Sequence, residues 1–310
     1  MELRLDKINK SFGEKHVLKD VSFTARSGVA TGLLGRNGSG KTTTIRIIMN
    51  IFPPNSGTAT IDGKPSKEFT KRIGFLPEER GLYPKRKISD QIAYLGELRG
   101  MRARDARERG KKLLERLEAG EYFDKMLETL SKGNQQKIQL AIALLNDPEI
   151  VILDEPFSGL DPVNAKILKD LVRDLVDEGR LVLFSSHQMG YVEEFCDDVV
   201  MINDGGIVMS GRLRDIKKSY PRDRVLLVPE EEDANKLRKQ LADREALKDI
   251  ITDISEAKDG FLIKLTSPEA KNRLFERVAG SGVELDIFQV VEPSLEEIFV
   301  EKAGGENEAV

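Results

Sequence analysis

Gly35-Arg36-Asn37-Gly38-Ser39-Gly40-Lys41-Thr42, followed by Thr43, is the stretch that decides the fold. It matches the phosphate loop GxxxxGK[ST] at every fixed position, and its flanks agree. Val29–Leu34 is a short apolar run, and Thr42–Ile51 repeats Ile45, Ile48 and Met49 at helical spacing, so the loop joins a buried strand to a helix N-terminus. Gly35, Gly38 and Gly40 accept positive φ and carry no Cβ, which lets successive backbone N–H groups turn inward around phosphate oxygens. The helix start adds unpaired donors and partial positive charge. Lys41 is placed to bring a mobile cation to the β- and γ-phosphates, and the Thr42 hydroxyl to ligate Mg²⁺.

A second stretch completes the chemistry. Ile150-Val151-Ile152-Leu153-Asp154-Glu155 is four apolar residues followed by two carboxylates. With Leu181–Ser185 it has the texture of parallel strands buried on both faces, and such a sheet carries its ligand at the strands' C-terminal ends. Asp154 is suited to orient Mg²⁺ through its water shell, and Glu155 to orient and deprotonate the water attacking a γ-phosphate.

Composition sets the limits. A chain of 310 residues predicts two domains. One cysteine, Cys196, permits no internal disulfide and points to a reducing compartment. The net charge of −4 carries no electrostatic footprint for DNA or RNA. No stretch approaches the roughly 18–20 apolar residues a membrane span needs, and the N-terminus does not read as a signal peptide, so any membrane association is expected to be borrowed from a partner.

Along the chain, Glu2–Asn9 and Val17–Ala25 alternate as antiparallel, half-buried strands, and Thr58–Ile61 reads as another. Beyond Pro84 the texture turns helical, over Ser89–Arg99 and the charge-dense Ala103–Leu117. Leu130-Ser131-Lys132-Gly133-Asn134-Gln135-Gln136-Lys137 opens a helix that faces Ile138, Ala141, Ile142 and Leu145 inward, with Ser131 as N-cap. Ser158-Gly159-Leu160-Asp161-Pro162 follows Glu155, and Ser185-Ser186-His187 ends the next strand.

Over roughly Met1 to Arg214 this order resembles an ATP-binding cassette ATPase: phosphate loop, signature sequence, Walker B strand, D-loop and switch histidine. The resemblance implies a mixed, mainly parallel α/β core with an antiparallel β subdomain and an α-helical subdomain at about 84–135. It implies ATP with Mg²⁺, bound by Gly35 to Thr43, with Phe12 stacking on adenine. Ser131, Gly133, Asn134 and Asp161 would act in trans on the nucleotide of a second cassette, identical or not. His187 would contact the γ-phosphate. Lys132 and Asn134 stand where glycine and glutamine are commoner. The family's glutamine after Ile73–Leu76 falls on Glu78, so that a carboxylate would join Thr42 and Asp154 near Mg²⁺ and slow turnover or make it more Mg²⁺-dependent. Leu76-Pro77-Glu78-Glu79-Arg80-Gly81-Leu82-Tyr83 is similar to cassettes of the sodium-exporting group of bacterial transporters.

Residues 220–303 read as a second α+β domain in βαββαβ order, a ferredoxin-like sheet with an added helix, its hairpin turning at Asp259-Gly260; 304–310 read as an acidic tail, and the cassette as 1–219. The end of this domain is similar to the extension of exporter-type cassettes. The resemblance therefore implies an ATPase that powers export through separate integral-membrane permease subunits, peripheral on the inner face of the cell membrane. A soluble cassette ATPase working on nucleic acid or ribosomes is the alternative, but long coiled coils and basic arms are missing. A non-hydrolysing, ATP-dependent interaction module is a further one, and Glu155 argues against it.

Overall fold

The computed structural model describes residues 1–79 and 81–303, so the expected acidic tail lies outside the described residues. The chain divides into two compact units, Met1–Leu213 together with the chain from Lys302 on, and Arg214–Glu301. The division falls after the first residue of the helix Leu213–Ser219, where the sequence alone suggested a boundary after the helix.

The first unit holds two sheets. Strands β1 (Glu2–Phe12) and β2 (Lys15–Arg26) pair antiparallel, and the next strands, β3 (Ala30–Leu34), β4 (Ser56–Ile61) and β5 (Lys64–Pro65), divide between the sheets in the order β2-β1-β4-β5 for the smaller one. Leu3 and Leu5 point inward as the alternation predicts, but a bulge at Lys7, with φ 47°, hands the third inward position to Ile8. Gly57 of β4 makes room for it: a Cβ there would stand 2.2 Å from the Lys7 carbonyl oxygen.

The larger sheet adds β6 (Ile73–Leu76), β7 (Ile150–Leu153), β8 (Leu181–Ser186), β9 (Asp198–Asn203) and β10 (Gly206–Arg212), in the order β10-β9-β3-β8-β7-β6. β3, β6, β7, β8 and β9 run parallel, which explains why β3, β7 and β8 are buried along their whole length. β10 returns antiparallel through Asp204 and Gly205, both at positive φ, the geometry of a tight hairpin. Crossover helices are α1 (Lys41–Ile48), α2 (Ile88–Leu98), α3 (Ala103–Arg116), α4 (Lys132–Ala143), α5 (Pro162–Asp177) and α6 (Met189–Phe195). Ile138, Ala141, Ile142 and Leu145 are all buried, as the helical spacing requires. Behind β3 lies Cys196: a Cβ on Gly32 would stand 3.1 Å from its Sγ, and burial, with Asp197 and Asp198 nearby, pushes its thiol well above the ordinary range.

The second unit begins in α7 (Leu213–Ser219), whose remaining residues precede β11 (Arg224–Pro229), α8 (Ala234–Ala242), α9 (Arg244–Leu247), β12 (Ile251–Ala257), β13 (Gly260–Leu265), α10 (Ala270–Ala279), β14 (Leu285–Val291) and α11 (Leu295–Ala303). The antiparallel order β12-β13-β11-β14 is that of a ferredoxin-like sheet, as its βαββαβ pattern predicts. Two details differ. The helix expected over Glu230–Glu245 is broken at Asp243. The hairpin loop is Lys258-Asp259, with Gly260 already paired to Ala257, because β11 passes so close that a Cβ on Gly260 would stand 2.0 Å from the Leu227 oxygen.

Candidate functional site at the strand ends

Four strands of the larger sheet deliver the expected residues to one edge. β3 runs into the phosphate loop, β7 into Asp154 and Glu155, β8 into His187, and β6 into Glu78. The loop is shaped by its glycines: Gly38 and Gly40 sit at φ 82° and 114°, and a Cβ on Gly40 would stand 2.5 Å from Leu18 Cδ2. Gly40 is also the N-cap of α1 and offers no side chain to its first turn, so the helix keeps backbone donors for an anion. Ser39 is buried, and its hydroxyl has no partner among the described residues. Arg36 and Asn37 are exposed, while Thr42 and Thr43 are half-buried. A buried, unsatisfied hydroxyl beside a helix start without a side-chain cap, with no room for a Cβ at Gly35 or Gly40, fits a polyphosphate.

Lys41 is 6% exposed. Its Nζ donates to the carbonyl oxygens of Gly35 (2.8 Å) and Arg36 (3.3 Å) and lies 3.2 Å from Glu155 Oε1. That last contact is ionic rather than a directed hydrogen bond, since Oε1 has no hydrogen-bond donor among the described residues. Removing one member of so buried a pair strands the other charge, at a cost of about 3–5 kcal/mol.

Glu155 is the centre of the cluster. It is buried, and its backbone is left-handed at φ 49°, a conformation that costs a non-glycine residue energy and concentrates at functional sites. Oε2 accepts from His187 Nδ1 at 2.9 Å and from the His187 backbone N–H at 3.3 Å. A carboxylate only accepts, so Nδ1 is the donor in this contact and Nε2 faces away from it.

Asp154 is 1% exposed, and its Oδ1 accepts from Thr42 Oγ1 (3.4 Å) and Ser185 Oγ (2.5 Å). Burial pushes its carboxyl above the ordinary range against the pull of these two hydroxyls, and the negative charge of Glu155 adds to the rise. Two hard oxygens held together by one hydrogen bond are a donor set that suits Mg²⁺, which takes few protein ligands and keeps its water. Glu78 is exposed on the bend after β6, and among the described residues no hydrogen bond or ion pair ties it to Thr42 or Asp154.

Ser185 is a residue that sequence reasoning placed in the strand but not in the site. Fully buried, it accepts from the Glu155 N–H at 2.9 Å while donating to Asp154. Its position in β8, beside β7 and two residues before His187, is the signal that could have found it.

The remaining residues form separate groups. Phe12 is 49% exposed and meets Phe52 edge-on at 5.4 Å, with Lys10 Nζ 5.2 Å from its centroid. Ser131 caps α4, accepting from the Asn134 N–H, as predicted. Asp161 caps α5 in the same way through Asn164. A Cβ on Gly133 would stand 2.8 Å from Asn164 Nδ2, which joins the two helix starts. The hydrogen bonds of this group run to Tyr122 and Asn164 rather than to the phosphate loop.

Comparison with known proteins agrees with this architecture. The ABC transporter family profile matches residues 18–158, and that of the DrrA1-3-like ATP-binding protein C-terminal domain matches 211–303. An uncharacterized ABC transporter ATP-binding protein of Bacillus subtilis, YhaQ, is 39% identical over 97% of this chain and 98% of its own. A Nod factor export ATP-binding protein I of Burkholderia lata is 34% identical over 66% of this chain and 68% of its own. Among solved structures, an ATP-binding subunit of an ABC transporter superposes with a TM-score of 0.65 at 27% identity, covering 71% of this chain and 93% of that one. The fold and the site define an ABC-type P-loop ATPase domain. The chain belongs to the ABC transporter ATP-binding proteins, and within the transporter it is the ATP-binding subunit, homologous to subunits of export type. No described helix is long and apolar enough to cross a membrane.

Proposed function

We propose that this subunit hydrolyses ATP to power export through separate permease subunits, by closing and opening a dimer of cassettes. The carrying observation is the cluster at the strand ends, in which Glu155 is held by His187 on one oxygen and faces Lys41 with the other.

In this reading Gly35 to Thr43 wrap the triphosphate, Phe12 stacks on adenine, and Lys41 leaves Glu155 for the β- and γ-phosphates. Thr42 and Asp154 would hold Mg²⁺, with Glu78 as the further carboxylate the resemblance implies; the ion would supply charge neutralisation on the phosphate oxygens. Freed of Lys41, Oε1 of Glu155 takes the proton of the attacking water, and His187 keeps the carboxylate in place through Oε2. Ser131, Gly133, Asn134 and Asp161 line the face presented to the nucleotide of the opposite cassette. Loss of the bridging γ-phosphate opens the pair. Exposed Tyr83 and Tyr94, with Arg86 and Gln91, line a cavity of about 340 Å³ between Glu78 and Gly100, the surface suited to pass this motion to a permease. Such pairing would keep the subunit at the inner face of the cell membrane. Among its described residues the second unit carries no comparable cluster, and it is proposed to be accessory.

Glu155→Gln tests the reading. Steady-state phosphate release should fall by at least about 100-fold, while gel filtration with millimolar ATP and Mg²⁺ should show a trapped dimer. A variant that still releases phosphate at the parent rate, or stays monomeric, would refute it.

A further inference from the structure

We propose that Ser185 is a positioning residue that locks the metal-side carboxylate, Asp154, and the base, Glu155, into one unit. The inference rests on the roles just given to those two residues. Ser185 lies where the ladder between β7 and β8 gives way to the site: Leu153 pairs with Phe184, and the next residues along are Asp154 and Ser185. Beyond that pair β7 cannot continue, because Glu155 turns to φ 49° and its N–H leaves the ladder.

The Ser185 hydroxyl replaces the lost acceptor. It accepts from the Glu155 N–H at 2.9 Å and donates to Asp154 Oδ1 at 2.5 Å, fully buried from water. One side chain thus fixes the strained backbone of the base and the rotamer of its neighbour. Thr42 donates to the same Oδ1, so both hydroxyls crowd one oxygen and leave Oδ2 of Asp154 unclaimed by them. An alanine at 185 would orphan a buried N–H, release Glu155 from its over-determined conformation and free Asp154 to rotate.

A structural role alone predicts a general loss of stability. Positioning predicts a split. Ser185→Ala should lower kcat about 10- to 100-fold and raise the Mg²⁺ concentration for half-maximal rate several-fold. KM for ATP, and binding of a fluorescent ATP analogue without Mg²⁺, should stay within about two-fold, because the phosphate loop is untouched. The increment that Mg²⁺ adds to analogue binding should shrink, which reads the Asp154 side independently of turnover. Ser185→Thr, which keeps the hydroxyl, should restore both kcat and the Mg²⁺ response.

The proposal is overturned if Ser185→Ala keeps the parent kcat and Mg²⁺ response. It is overturned equally if the variant loses Mg²⁺-free binding and melts early while Ser185→Thr rescues nothing. If the parent protein itself hydrolyses no ATP, the assignment of Glu155 as base fails, and the Mg²⁺ increment in analogue binding still decides the case for Ser185.

Discussion

Glu78 shows what one carboxylate in place of an amide does. It stands after β6, beside the strand that carries Asp154 and Glu155, and in the proposed site it would add a further carboxylate near Asp154, whose ionisation burial already opposes. Glu78→Gln should therefore lower the Mg²⁺ needed for half-maximal hydrolysis and raise turnover, each by about two- to ten-fold. A Mg²⁺ titration of steady-state rate at fixed ATP checks this, and unchanged curves would count against it. For Glu78 the family resemblance supplies a position by counting, and among the described residues no contact ties it to the cluster. Lys41, Asp154, Glu155 and His187 were legible as residues of one site through the same resemblance. Their bonding was not: the left-handed backbone of Glu155 and the Ser185 bridge come from β7 and β8 meeting in space, and local sequence carries no sign of that register.

Among the elements, the turn from α4 to β7 shows how charge holds helices to the sheet. Asp147, at φ 55°, accepts from Arg109 of α3 (2.6 Å) and from Arg180 just before β8 (2.9 Å). Burial works to raise its pKa, but the hydrogen bond and charge of Arg180, with Arg109, hold it below the ordinary aspartate value of 3.8. A depressed carboxylate stabilises the fold above its unfolded pKa, and this support is lost as pH falls through the lower folded value. Asp147→Asn should move the acid-unfolding midpoint upward. With the side chain 57% exposed, solvent screening keeps the cost at pH 7 below about 1 kcal/mol, readable by urea titration at pH 7 and again below the carboxylate range, where the difference should vanish. Element types followed from periodicity, since β7 is apolar throughout, β3 and β8 are mostly so, and α4 repeats at helical spacing. The bulge at Lys7 and the break at Asp243 did not, because tertiary approach rather than local preference decides the first, and nothing in the helical spacing marks the second.

At the scale of the molecule, the proposed sharing of a site makes a quantitative demand on two copies of this chain. Lys41→Ala and Ser131→Arg should each be inactive alone. Mixed in equal amounts they should recover about a quarter of the parent ATPase rate, since half of random pairs are mixed and each mixed pair holds one intact composite site. No recovery on mixing would show that the two residues do not meet across a dimer. The single thiol offers a different view of the whole. Cys196 sits behind the central strand with its ionisation suppressed, so a disulfide reagent in bulk solvent should leave it untouched while the sheet and α6 stay packed. Under native conditions its labelling rate becomes a clock for cooperative opening, ticking at the unfolding rate once reagent is in excess. Any ligand that tightens the cassette should slow that clock without touching the sulfur.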